Sequence, residues 1–164
     1  LAERGLRNRL VLGTKVQLPM GDGPNERGLS RRHIMEQVEA SLRRLQTDYV
    51  DVYSAHFPDP ATPLDETLRA FDDLVHAGKV RYIGCSNYDG WQVTKAAWVS
   101  DRLNLHAYAC TQTRYNLLWR LPEPELLPAC SDLGIGVLAY GPTGGAGDGL
   151  IFIAKLTPLI PLIR

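Results

Sequence analysis

The sequence has only three cysteines, Cys85, Cys110 and Cys130, and no two of them stand at a paired spacing. An odd, scattered set argues against a disulfide framework or a thiolate zinc site. Reduced, buried thiols in a cytoplasmic protein are the expectation. Net charge is lacking too: 18 Lys and Arg balance 18 Asp and Glu over 164 residues. That balance gives no electrostatic reason to expect a nucleic acid or an anionic membrane as partner. The opening run LAERGLRNR is charged and helix-like, unlike a secretion signal. The apolar run 150–164 is broken by Lys155, Pro158 and Pro161 and is shorter than the ~20 residues of a membrane span. Glycines occur at 144, 145, 147 and 149, where a backbone loop could approach a pyrophosphate, but no Lys-Ser/Thr follows to make a P-loop. A flexible linker is the plainer reading of that stretch.

Strand-like and helical runs alternate along the rest of the chain. The expected strands are Leu10–Val16, Tyr49–Ala55, Val80–Cys85, Ala107–Gln112 and Ile135–Tyr140. Between the first two lies a helix over Ser30–Leu45, capped by Ser30 and striped by Ile34, Val38, Leu42 and Leu45. A second helix is expected after Thr62 as N-cap and Pro63 at its first position, with Asp65 as a capping-box acid. Its stripe is Leu64, Leu68, Phe71 and Leu74, and Gly78 stops it. Further helices are expected around Trp91–Val99 and over Pro124–Leu133, the latter closed by Gly134.

Strict alternation implies parallel strands joined by right-handed crossovers. An open doubly wound sheet and a closed barrel both satisfy it. The first strand lacks the glycine-rich dinucleotide fingerprint of the former. Polar residues stand at the carboxyl end of every strand instead: Lys15, His56, Ser86 with Asn87, Gln112, and Tyr140. A barrel gathers such ends around one mouth, which favours the barrel. Five units fill about 140 residues, against eight strands and ~250 residues in a complete barrel.

The strand-end residues form a chemically coherent set. Lys15 could hold a charge beside a titrating group, and His56 could direct a substrate carbonyl. Ser86, Asn87 and Gln112 offer hydroxyl and amide groups to a carboxamide such as that of nicotinamide, and Tyr140 could stack on its ring. Ser86 and Asn87 could also cap the following helix. Tyr115 and Asn116 are read as shaping a turn. His33, His76 and His106 are read as surface residues, and no metal site is expected. Trp98 and Trp119 stand open between packing and lining a substrate pocket.

The runs YVDVYSAHFPDP, LRAFDDLVHAGKVRYIGCSN, QTRYNLL and GIGVLAYGP, in this order and spacing, resemble the aldo-keto reductase superfamily. The resemblance covers roughly residues 10–142 and is nearest its bacterial, potassium-channel-β-like branch. It implies a partial (β/α)8 TIM barrel holding the family's strands 3 to 7, without the first two units and the last. It also implies hydride transfer between NADP(H), with NAD(H) not excluded, and a small-molecule aldehyde or ketone. In that scheme Lys15 lowers the pKa of a tyrosine acid and His56 hydrogen-bonds the carbonyl oxygen. Ser86, Asn87 and Gln112 bind the carboxamide, and Tyr140 stacks on the ring.

The family's proton-donating tyrosine lies in an Asp-x-x-x-x-Tyr arrangement upstream of that lysine. Only nine residues precede Leu10, and none is Asp or Tyr. The spacing recurs at Asp48 and Tyr53, inside a strand and downstream of Lys15, which is read as coincidence. The expectation is therefore a barrel segment, 1–142, with little turnover alone, followed by a linker and apolar tail, 143–164. A non-catalytic nicotinamide-nucleotide-binding or channel-β-like accessory module is the alternative. Open strand edges could also bring copies of the chain together.

Overall fold

The computed structural model describes residues 7–144. After a short 3-10 turn at Arg7–Arg9, strands and helices alternate: β1 (Gly13–Val16), α1 (Arg31–Leu45), β2 (Val50–Ala55), α2 (Leu64–His76), β3 (Val80–Ser86), α3 (Gly90–Leu103), β4 (Cys110–Arg114), α4 (Leu126–Leu133) and β5 (Gly136–Tyr140). All neighbouring strands are parallel, and their order in the sheet is their order in the chain. A doubly wound sheet reverses direction at a switch point, and this one does not. Right-handed crossovers taken always in one direction set every helix on the same face. The result is the wall of a partial (β/α) barrel.

Strand register separates the two faces of that wall. Val16, Ala55, Cys85, Thr111 and Val137 lie side by side across all five strands. The first four are buried, and Val16, Ala55 and Cys85 join helix residues such as Ile34, Val38, Leu68, Phe71 and Val93 in one core. The adjacent row, Lys15, Ser54, Gly84, Cys110 and Gly136, points the other way because side chains alternate along a strand. Its members are small apart from Lys15. Aromatic edges brace the helix side, with Tyr53 against Phe71 at 5.5 Å and Tyr88 against Tyr108 at 5.9 Å between ring centroids.

Several local expectations shift. β1 begins at Gly13 rather than Leu10, since Leu10 and Val11 are exposed and outside the ladder. β4 runs three residues later than expected at its start and ends at Arg114. α4 starts at Leu126 rather than Pro124. Ser30 caps α1 as expected, its Oγ accepting from the His33 N–H at 3.3 Å. Thr62 does not cap α2: its hydroxyl donates to Asp59 Oδ2 at 2.8 Å, and Pro63 takes the cap position without a side-chain bond. Ser86 and Asn87 do not cap α3 either; Asp89 stands at its N-cap, and its N–H donates to Gln92 Oε1 at 2.9 Å.

His33 is the clearest misplacement. It is fully buried, not a surface residue, because it shares the inward face of α1 with Ile34 and Val38. His76 and His106 are exposed, as expected. No helix among the described residues is long and apolar enough to cross a membrane. The apolar tail, and the glycine-rich stretch beyond Gly144, lie outside the described residues.

Candidate functional site

Lys15 is exposed on the polar face of β1, beside Ser54 of β2 in the register. Among the described residues its ammonium makes no hydrogen bond or ion pair. His56 leaves the end of β2, held by its backbone N–H donating to the Val16 carbonyl at 2.9 Å. Its ring stacks on Phe57 at 4.8 Å between centroids and 21° between planes. Burial, then the positive charge of Lys15, holds the His56 imidazole below its usual pKa. A neutral imidazole at neutral pH still has one N–H to donate.

Asn87 ties the remaining strand ends together. Its backbone N–H donates to the Gln112 carbonyl at 2.9 Å. Its side-chain Nδ2 donates to the His56 carbonyl at 2.9 Å and to Ser86 Oγ at 3.1 Å. Its Oδ1 accepts from the Tyr140 hydroxyl at 2.7 Å. The ends of β2, β3, β4 and β5 therefore meet at one residue, β4 through its backbone N–H and the others through its side chain. This geometry needs a left-handed backbone, and Asn87 has φ +59°; asparagine tolerates that conformation better than most residues.

Ser86 is buried and donates its hydroxyl proton to the Gln112 carbonyl at 2.9 Å. The Gln112 amide is different: among the described residues it has no hydrogen-bond partner, although it is half-buried beside Ser86 and Leu138 in the register. The structure thus links His56, Ser86, Asn87, Gln112 and Tyr140 through one network. Lys15 joins it only through its charge on His56.

A cavity of about 340 Å³ opens beside this network, lined by Asn87, Tyr140, Arg114, Trp119 and the start of α3. Arg114 was not singled out from the sequence. It follows Gln112 on the same face of β4, pairs with Tyr140 in register, and lies 4.7 Å over the Trp119 ring. The period-2 alternation Cys110, Gln112, Arg114 was the available signal. Trp119 is thus part of the cavity wall, whereas Trp98 is exposed on α3 and lines a second groove with Glu125 and Ala129. Asn116 does shape a turn, its Oδ1 accepting from the N–H groups of Leu118 at 2.9 Å and Trp119 at 2.8 Å.

Other groups are set aside by their surroundings. Tyr53 points into the core, where its hydroxyl donates to the Ile34 carbonyl at 3.3 Å and burial raises its pKa. Cys85 and Cys130 are buried free thiols, pushed up to about 12 and about 11 by burial. Thiols held that high are poor nucleophiles at neutral pH.

Comparison with known proteins agrees with the fold. A profile of the Aldo/keto reductase family matches residues 1–150. The chain is 45% identical over 143 residues to the uncharacterized oxidoreductase YrpG of Bacillus subtilis, covering 85% of this chain and 44% of that protein. It is 42% identical over 137 residues to a probable voltage-gated potassium channel subunit beta of Arabidopsis thaliana, covering 83% and 42%. It is 40% identical over 141 residues to the aldo-keto reductase YhdN of Bacillus subtilis, covering 86% and 41%. The chain spans less than half the length of these relatives.

Proposed function

The chain belongs to the aldo/keto reductase family, and from that premise we propose that it is the central part of an oxidoreductase that reduces small aldehydes or ketones with NADP(H). The observation that carries this reading is the meeting of His56, Ser86, Asn87, Gln112 and Tyr140 at consecutive strand ends, with Lys15 charging the same mouth. When bound, the nicotinamide supplies the hydride.

The residues of the chain do the rest. The Gln112 amide, uncommitted within the described residues, takes the carboxamide. Asn87 Oδ1 has a second lone pair for the same group, and Ser86 fixes both neighbours. The exposed ring of Tyr140 offers a stacking face. His56, kept neutral by burial and by Lys15, donates a hydrogen bond to the carbonyl oxygen as negative charge develops there. NAD(H) presents the same carboxamide, so both cofactors are titrated. A cytoplasmic location suits reduced thiols and nicotinamide chemistry together.

Among the described residues no tyrosine hydroxyl bonds Lys15. A missing general acid typically lowers rate by roughly 10²–10⁴-fold, so the 164-residue chain is expected to bind cofactor and turn over slowly. Trp119 on the cavity wall reports binding. Saturable fluorescence quenching by NADPH, weakened in Gln112→Ala, is the expected result. No quenching up to about 1 mM cofactor, a binding energy of only about 4 kcal/mol, would sink the proposal. Oxidation of NADPH with 4-nitrobenzaldehyde at the rate of a complete reductase would refute the slow-turnover part.

A second reading is a nucleotide-binding accessory subunit, favoured by the relatives named as potassium channel beta subunits. It gives quenching without any turnover. Self-association through the edges at β1 and β5 is checked by light scattering, where a monodisperse monomer rules it out.

A further inference from the structure

The far end of the strands carries a second cluster. α2 finishes at His76 just before β3, and His106 sits in the connection from α3 to β4. Both positions are at the amino ends of strands, opposite the mouth that holds His56 and Asn87. Asp72 and His76 are four residues apart on α2, so they share one helix face. Asp72 Oδ1 lies 2.6 Å from His106 Nδ1, and Asp72 Oδ2 lies 3.3 Å from His76 Nδ1. The two imidazoles stand 5.1 Å apart with 72° between their planes. One ligand atom from each of the three residues falls within 4.8 Å of the other two.

We propose that Asp72, His76 and His106 form a binding site for a divalent transition ion of the zinc class. Two imidazole nitrogens and one carboxylate oxygen suit Zn2+, Co2+ or Ni2+ and not the oxygen-seeking Ca2+ or Mg2+. Three protein ligands leave the fourth tetrahedral position for water. Bonds of about 2.0–2.1 Å to a tetrahedral ion set ligand atoms roughly 3.3–3.4 Å apart, so the site closes when the rings move together and His76 Nδ1 gives up its 3.0 Å contact with the Asp72 backbone carbonyl.

The frame around the ion is already built. Asp72 is buried, and its Oδ1 also accepts the His106 backbone N–H at 2.8 Å. That bond orients the carboxylate as supporting contacts orient metal ligands. His106 is held in turn by Ser100, whose hydroxyl donates to the His106 carbonyl at 3.2 Å, after α3 ends in the left-handed Asn104. Both imidazoles are exposed, which gives an ion its route in. In sequence the three ligands show no metal-binding pattern, because 34 positions separate Asp72 from His106.

A bound ion would clamp α2 to the α3–β4 connection, at a distance from the reduction chemistry. Residues at that end of a barrel serve stability more than turnover.

The test is titration of the untagged, chelator-treated 164-residue chain with Zn2+ by calorimetry and with Co2+ by visible absorption. One ion per chain is expected, with tetrahedral nitrogen and oxygen ligation and a rise in melting temperature. His76→Ala leaves the Asp72–His106 bonds intact and is expected to weaken binding by at least about 10-fold. Asp72→Asn keeps an acceptor for the His106 N–H, loses the anionic ligand, and is expected to do the same. Binding unchanged in His76→Ala, a cobalt spectrum of thiolate ligation, or no binding below about 1 mM ion would each overturn the site.

Discussion

Replacing Asn87 with alanine removes two donors and one acceptor from the junction of four strands. The bonds to the His56 carbonyl and to Ser86 Oγ are part-buried, whereas the one from Tyr140 is exposed and water can take its place. A protein hydrogen bond contributes about 0.5–1.5 kcal/mol net, so the two part-buried bonds account for about 1–3 kcal/mol. Alanine at φ +59° adds about 1 kcal/mol of backbone strain that asparagine partly escapes. The expected loss is about 2–4 kcal/mol. Glycine at the same position loses the side-chain bonds but not the conformation, so Asn87→Gly is expected to be less destabilised than Asn87→Ala by about 1 kcal/mol. Urea denaturation followed by circular dichroism measures both midpoints, with unchanged slope as the check on comparability. Equal losses in the two variants would refute the conformational argument. A loss in Asn87→Ala under about 0.5 kcal/mol, the scale of an ordinary surface change, would refute the tie itself.

Three further outcomes follow from contacts already described. A Cβ at Gly84 would meet the Ser54 Oγ at 2.8 Å and the Cys110 carbonyl and Sγ at 3.0 Å. Gly84→Ala is therefore expected to cost about 1–3 kcal/mol, and an unshifted melting curve would show that β2 and β4 can spread. Lys15→Met removes the charge that helps hold His56 down, so the His56 pKa is expected to rise while burial still depresses it; an unchanged NMR titration of the ring would break the link. Burial pushes the Asp59 carboxyl up, but the N–H groups of Leu29, Ala61 and Thr62 and the Thr62 hydroxyl hold it below its usual pKa. A carboxyl depressed on folding stabilises above its unfolded pKa of about 3.9 and loses that contribution as pH falls through the folded value. Asp59→Asn is expected to be less stable at neutral pH and to flatten the acid limb of the stability curve; a limb as steep as in the parent would refute this.

The alternation of elements was legible because the apolar stripes of α1 and α2 repeat at helical spacing and the strands are short β-rich runs. Their ends were less so. Thr62 has every local mark of an N-cap, yet Asp59, already gathering the N–H groups of Leu29 and Ala61, takes its hydroxyl. In sequence His33 reads as a surface residue together with His76 and His106. Only the geometry of α1 against the sheet buries it with Ile34. Arg114 escaped notice because its meaning depends on Tyr140, its neighbour across β4 and β5.

The six strand-end residues were found as a group from their positions, but their division of labour was not visible there. Ser86, Asn87 and Gln112 all carry groups that could hold a carboxamide. In the folded chain Ser86 gives its proton to the Gln112 carbonyl, and Asn87 gives both kinds of amide contact to the protein. Gln112 alone keeps a side-chain amide without a protein partner among the described residues. The three therefore differ in what their loss should do. Under the proposed function, removing Gln112 subtracts a carboxamide contact from a wall that stays in place. Removing Asn87 loosens the wall, so binding and stability fall together. A strand register slips by whole residues unless something fixes it, and the left-handed Asn87 fixes β2 through β5 at the end where their side chains must converge. Cofactor affinity that fell in Asn87→Gly without any loss of stability would reverse this order and make Asn87 a ligand contact first.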